Sequence, residues 1–244
     1  MKMKILVAVG ISSMLCLAAL AFAGVEEDAA RASLAAAFPK LPIASVTKSD
    51  IDGVYQVITE DNVLYYAPKA ERIIFGEIWT KEGKSLTAEI RNNLLAQKGK
   101  SLVAAKSKAV KIGNGKHTVI EVTDPDCPYC RKMHTYWSSR NDVTRYVFFV
   151  PMSFHQQAEQ KSRYIMAASD KAKALDDVYS GKIDKRDDLL AREYDDKGAV
   201  ADMVQLAQQA GVKGTPAFWI DGEFVSGADI AKIEGLIGAA ANQK

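Results

Sequence analysis

Cysteine is scarce in this chain of 244 residues: there are three, and Cys16 lies in the apolar N-terminal run. A small fold stapled by disulfides is therefore excluded. Excess charge of one sign is lacking too. Lys and Arg number 32 against 30 Asp and Glu, and setting aside Lys2 and Lys4 with residues 1–23 leaves 30 of each. No nucleic-acid partner or membrane-surface footprint is expected from that balance. The chain also has no internal repeat, no low-complexity tract and, past residue 23, no apolar run long enough to cross a bilayer. With 48% hydrophobic and 25% charged residues, 16 Gly and 7 Pro, it is not disordered, collagenous or coiled-coil, and its length allows one large domain or two compact ones.

The first 23 residues read as an export signal. MKMK is a short positive region, an apolar run follows, and Ala21-Phe22-Ala23 before Gly24 fits the small-x-small cleavage rule. The alternative is an uncleaved anchor, against which stand Glu26, Glu27 and Asp28 just beyond the cleavage site. Removing the signal leaves only Cys127 and Cys130, a CxxC pair with a task other than stapling a core.

Residues 26–38 have the composition of an amphipathic helix, stopped by Pro39 and Pro42. The β-branched and aromatic runs 54–58, 62–66 and 72–79 read as strands, with a hairpin turn at Glu60-Asp61-Asn62, so that residues 41–82 form a small antiparallel sheet. Tyr65, Tyr66, Phe75 and Trp79 are expected in its core or in a dimer interface, with a substrate surface as the alternative. A polar helical stretch over 86–109 serves as a connector, its apolar content being too low for a core of its own. From Asn114-Gly115 onward the pattern alternates: a strand at 117–122, a helix at 130–139, a strand at 143–150, Ala-rich helices over 157–179 and 186–210, a hairpin around Asp221-Gly222 and a closing helix at 228–241. That order gives an α/β sandwich with a mixed central sheet.

The sharpest chemical signal is Asp124-Pro125-Asp126-Cys127-Pro128-Tyr129-Cys130, between a strand and a helix. A cysteine at the first turn of a helix meets unpaired N–H groups and the positive end of the dipole, which stabilise its thiolate. Cys127 is thus expected as the exposed nucleophile and Cys130 as the buried residue that resolves its mixed disulfides. Asp126 opposes the thiolate if it points at Cys127 and is neutral if it caps the helix. Glu121, in an apolar strand six residues before Cys127, either exchanges a proton with Cys130 through water or is a charge that pairs with a lysine or escapes to an edge. Gly214-Thr215-Pro216 is the second signal, a turn in which the peptide before Pro216 is open to either isomer. A zinc site of Cys127, Cys130 and His134 lacks a fourth ligand, and His134 reads as a partly exposed helix residue.

Together these segments resemble the periplasmic thiol:disulfide interchange proteins of the DsbC/DsbG family. TVIEVTDPDCPYCRKMH (118–134) resembles the family's strand, active-site loop and helix; GVKGTPAFWIDGEFVSGA (211–228) its cis-proline loop and final hairpin; and residues 50–87 its dimerisation domain. The resemblance implies an α+β protein: a signal peptide over 1–23, a small cystatin-like antiparallel-sheet dimerisation domain over 24–85, a linker helix over 86–110 and a thioredoxin-like catalytic domain with a helical insertion over 111–244. It further implies a periplasmic homodimer, a cis Thr215–Pro216 bond opposite the cysteines, and misfolded or misoxidised exported proteins as substrates. A membrane thiol reductase of the DsbD type would keep the pair reduced, and no cofactor or metal is required.

Two departures from the family stand out. The additional structural cysteine pair of DsbC is missing. The dipeptide Pro128-Tyr129 is that of DsbG rather than the Gly-Tyr of DsbC, which leaves open an isomerase, a DsbG-like reductase protecting single oxidised cysteines, or a chaperone-like binding protein with a secondary redox role.

Overall fold

The structure, a computed structural model, describes residues 10–60 and 62–238, with side chains from Gly24 onward. The start of the expected signal peptide, Asp61 of the expected turn and residues 239–241 of the expected last helix lie outside the described residues. The chain divides into two compact units, one ending at Arg91 and the other beginning at Asn92.

In the first unit a helix, α1 (Gly10–Ala37), precedes four strands: β1 (Ser45–Lys48), β2 (Tyr55–Ile58), β3 (Val63–Ala67) and β4 (Arg72–Ile74). The helix expected from residue 26 thus starts within the apolar run, although no helix among the described residues is long and apolar enough to cross a membrane. The strands pair antiparallel in chain order, with Val46 opposite Val57 and Val57 opposite Leu64. Their period of two puts Val46, Val57, Leu64 and Tyr66 on one face, where they bury Ala30 and Leu34 of α1. Ser33 Oγ and Tyr66 OH, 2.8 Å apart, satisfy the polar ends of that contact. On the other face Tyr65 is buried and its hydroxyl meets Thr87 Oγ1.

The strand expected over 72–79 stops at Ile74. Beyond it the backbone pairs with the segment leading into the next helix: Leu86 N donates to Ile78 O at 2.9 Å, and Trp79 bridges Ser85. As a result Phe75 and Trp79 are not core residues but stand 77% and 59% exposed.

A helix, α2 (Leu86–Lys98), is followed by α3 (Lys100–Ala104) and by β5 (Val110–Ile112). The stretch expected as a linker is therefore divided between the units, and its later part belongs to the second core. Leu102 is fully buried there, and Leu95 O accepts a 2.8 Å hydrogen bond from Trp219 Nε1.

The second unit continues with β6 (His117–Thr123), α4 (Pro128–Ser138) and β7 (Val143–Phe149). After them come α5 (Ala158–Ala167), α6 (Lys171–Tyr179), α7 (Asp187–Leu190), α8 (Ala199–Gln209), β8 (Ala217–Ile220), β9 (Glu223–Ser226) and α9 (Ile230–Ile237). The sheet order is β5-β7-β6-β8-β9, with β6 parallel to β7 and antiparallel to β8. The central strand alternates. Val119 packs with Met133 and Trp137 of α4 and Ile233 and Ile237 of α9, while Ile120 and Val122 pack with Met203 and Ala207 of α8 and with Trp219.

Both long Ala-rich helices are interrupted. Between α5 and α6, Ala168 turns extended and Asp170 caps the restart by accepting from Lys173 N at 2.9 Å. Before α8, Lys197 and Gly198 have φ of 54° and 78°, which no continuous helix accommodates.

Gly99 is required by close approach, since a Cβ there would lie 2.0 Å from Trp219 Nε1. We expect Gly99→Ala to lower stability by about 1–3 kcal/mol through overpacking, read as a drop in the urea midpoint at unchanged slope.

Candidate active site

β6 ends at Thr123, and after a short loop α4 starts beyond the C-terminal end of this central strand. Pro128 occupies the first helical turn, where its missing N–H costs nothing, and Cys127 is itself the N-cap, with φ −70° and ψ 121°. The turn is held by Asp124, a carboxylate with no solvent exposure. Its Oδ1 accepts from the amides of Asp126 (2.7 Å) and Cys127 (3.2 Å), and its Oδ2 from Met152 N (2.7 Å) and His155 Nδ1 (2.9 Å). A buried carboxylate with this many donors is well compensated.

Cys127 and Cys130 are both free, and both are covered, at 6% and 0% exposure. The expectation of an exposed Cys127 is corrected accordingly: the Thr215–Pro216 loop lies against it, with Thr215 O 3.5 Å from its Sγ. The Thr215–Pro216 peptide is cis. Tyr129, in contrast, is 63% exposed, and Pro128 lies between it and Cys127.

The two thiols differ sharply in acidity. The Cys127 thiol is pushed down to about 5, first by the Cys130 S–H donating to its sulfur, and further by the backbone amides of Cys130 and Tyr129 and by the Thr215 side chain. Those amides are the unpaired donors of a helix N-terminus. Burial pushes the Cys130 thiol far up, and its sulfur lies 3.5 Å from the Asp124 amide. One sulfur is held as a thiolate near neutral pH and the other as a thiol, the division of labour that exchange through a mixed disulfide requires.

Glu121 is fully buried, and neither a lysine nor an edge takes its charge. Arg145 of the neighbouring strand donates from Nε (2.9 Å) and Nη2 (2.7 Å) to Glu121 Oε2, while Oε1 has no hydrogen-bond partner among the described residues. The structure thus places Glu121 in an ion pair under the sheet face that carries α4. His134 is also corrected: it is buried, with Nε2 3.2 Å from Asp176 Oδ1, and burial lowers its basicity. Asp126 neither caps α4 nor stands as an unpaired charge beside Cys127, because Lys161 and Arg131 take its carboxylate.

Sequence reasoning missed Asp124 as an anchor, together with His155, Arg131, Lys161 and Asp184. A signal for Lys161 was present, since it shares the apolar stripe of α5 with Ala158, Ser162 and Ile165.

Residues 21–88 match the disulfide bond isomerase protein N-terminal domain, and residues 104–242 match a thioredoxin-like domain. The thiol:disulfide interchange protein DsbC of Salmonella typhimurium is 31% identical over 220 residues, covering 87% of each chain. This chain belongs to the DsbC/DsbG family. The DsbC of Escherichia coli K12 is 30% identical, over 80% of each chain. A solved disulfide interchange protein from Neisseria gonorrhoeae is 29% identical, covering 54% of this chain and 94% of that one, at a TM-score of 0.44. As a family member the chain is a periplasmic thiol-disulfide oxidoreductase with a small N-terminal β-sheet domain and a thioredoxin-like domain bearing helical insertions.

Alkylation of Cys127 by iodoacetamide should be half-maximal near the pH of about 5 at which its thiol ionises, falling at lower pH as the thiolate protonates. In Cys130→Ala the largest stabilising donor is gone, so the midpoint should move up toward the ordinary thiol range; an unchanged midpoint would contradict this origin. Arg145→Met leaves Glu121 buried without its partner and should cost about 3–5 kcal/mol in chemical denaturation, most of it recovered by adding Glu121→Gln.

Proposed function

We propose that this oxidoreductase isomerises or reduces non-native disulfides in exported proteins through its CPYC site, with Cys127 as nucleophile and Cys130 as resolving residue. The observation that carries the reading is the opposed acidity of the two sulfurs at the start of α4. The Cys127 thiolate attacks one sulfur of a substrate disulfide, and the other sulfur leaves as a thiolate. A different substrate thiolate can then attack the substrate sulfur of the mixed disulfide and expel Cys127, which rearranges the substrate with no net electron transfer. Alternatively Cys130 loses its proton and attacks Cys127 Sγ, releasing a reduced substrate and closing the active-site disulfide. Two electrons must then be returned, and we assign that step to a membrane thiol reductase of the DsbD type. Because Cys127 is a stabilised thiolate, it is a good leaving group, which favours the first route.

In this reading the N-terminal sheet is a cystatin-like dimerisation domain and the working form is a homodimer. Supporting this, β1 and β4 are the edge strands of the sheet, and Ile74, Phe75 and Trp79 at and beyond β4 are exposed apolar side chains. The Pro128-Tyr129 dipeptide favours a second reading, a DsbG-like reductase that protects single oxidised cysteines. A chaperone-like role with secondary redox chemistry would rest on the same exposed apolar residues.

Scrambled ribonuclease in a glutathione buffer separates these readings. Recovery of ribonuclease activity, with part of it retained by Cys130→Ala, is the expected result for an isomerase. Exchange with glutathione without recovery points to the narrower reductase, and suppression of aggregation that survives Cys127→Ala points to the chaperone. Sedimentation should give a dimer, and a monomer for a variant with Phe75→Asp and Trp79→Asp.

A further inference from the structure

Lys161 on α5 reaches the exchange site from a distant part of the chain. Its side chain is 2% exposed, and its ammonium lies 2.5 Å from Asp126 Oδ1 and 2.7 Å from Asp184 Oδ1. Arg131, the residue after Cys130, binds the same two carboxylates. It forks onto Asp184 at 2.5 and 2.8 Å, places Nη2 3.4 Å from Asp126, and donates from Nε to Pro125 O at 2.8 Å. Two cations and two carboxylates thus close a neutral cluster that joins the active-site loop, α4, α5 and the turn after α6. Arg131 and then Lys161 hold the Asp184 carboxyl well below the usual carboxylate range.

Arg131 and Asp184 suffice to tie α4 to the turn after α6, since their contact is bidentate. What Lys161 adds is a positive charge directly on Asp126. An unmatched carboxylate in the residue before the nucleophile would oppose its thiolate, and a lysine is rarely buried unless it has such a partner.

We propose that Lys161 is a positioning residue of the exchange site: by neutralising and tethering Asp126, it keeps that carboxylate from acting against the Cys127 thiolate and couples the redox poise of the site to the helical insertion. This rests on Cys127 being the nucleophile. The other charged or titratable groups around the loop are Asp124 with its partner His155, Arg131, Asp184, which keeps its bidentate contact with Arg131 when Lys161 is replaced, Cys130, Tyr129 and Tyr179. All of them remain in the variants below, so a difference between variants reads the Asp126 charge.

The test is the thiolate absorbance of the reduced protein as a function of pH, and its equilibrium with glutathione, for Lys161→Met, Lys161→Arg, Asp126→Asn and the Lys161→Met/Asp126→Asn pair. Lys161→Met should raise the Cys127 midpoint by about 0.5–1 unit, a three- to tenfold loss of thiolate below the midpoint, and move the glutathione equilibrium toward the disulfide by about the same factor. Adding Asp126→Asn should reverse both changes, and Lys161→Arg should stay near the wild type. A folded Lys161→Met with an unchanged midpoint would overturn the proposal, as would a shift that Asp126→Asn fails to reverse, which marks a merely structural role. Should Lys161→Met not fold, Asp126→Asn alone decides: with the Lys161 charge left unmatched a lower midpoint supports the proposal, and an unchanged or higher one overturns it. Mapping the alkylated residue by mass spectrometry separates the two failures, because labelling of Cys130 instead of Cys127 in the wild type would remove the nucleophile assignment itself.

Discussion

Asp124 accepts four hydrogen bonds at a site with no solvent exposure, and the course of the loop that carries Cys127 into α4 depends on it. Two of its donors are the amides of the active-site loop. The other two belong to the segment after β7, which the parallel pairing of β6 and β7 brings alongside. With the loop held in this way, α4 can begin at Pro128 with its unpaired amides aimed at the Cys127 sulfur. The acidity difference between the cysteines is then a consequence of placement: one sulfur sits at the mouth of a helix and the other one turn inside a packed interface.

The second unit buries charge in two ways. Glu121 and Arg145 face each other across neighbouring strands, and their desolvation penalty is offset only by close contact, here two guanidinium N–H groups donating to the one oxygen Oε2. The cluster around Lys161 spreads its charges over loop and helices and reaches the nucleophile's neighbour. Neither pair enlarges the apolar core, and replacing a buried ion pair by apolar side chains often stabilises a protein. The first lies under the sheet face that carries α4 and the second includes Arg131 of α4, which fits a site in which electrostatic poise matters alongside rigidity.

The N-terminal unit is organised differently. One face of its sheet is closed by α1, and Tyr65 with Thr87 closes part of the other, while the chain beyond β4 turns away and exposes Phe75 and Trp79.

The strand-loop-helix run around Cys127 was legible because every signal in it is local: a β-branched strand, turn residues, a proline at the first helical position and a cysteine pair at helical spacing. β1 and β5 were not legible, since SVTK and VKI are short and partly polar and become strands only through their neighbours. The interruptions after Ala167 and before Ala199 were hidden by composition, alanine being compatible with helix on both sides of each break. What the sequence determined by itself was most of the order of elements and the placing of a CxxC pair between a strand and a helix, both of which are written in contiguous residues. Which charge meets Asp126, what faces Glu121, and how far Cys127 is covered were decided only by the tertiary structure. Those partners lie on other strands and helices, and the sign of a charge says nothing about its position until the chain has packed.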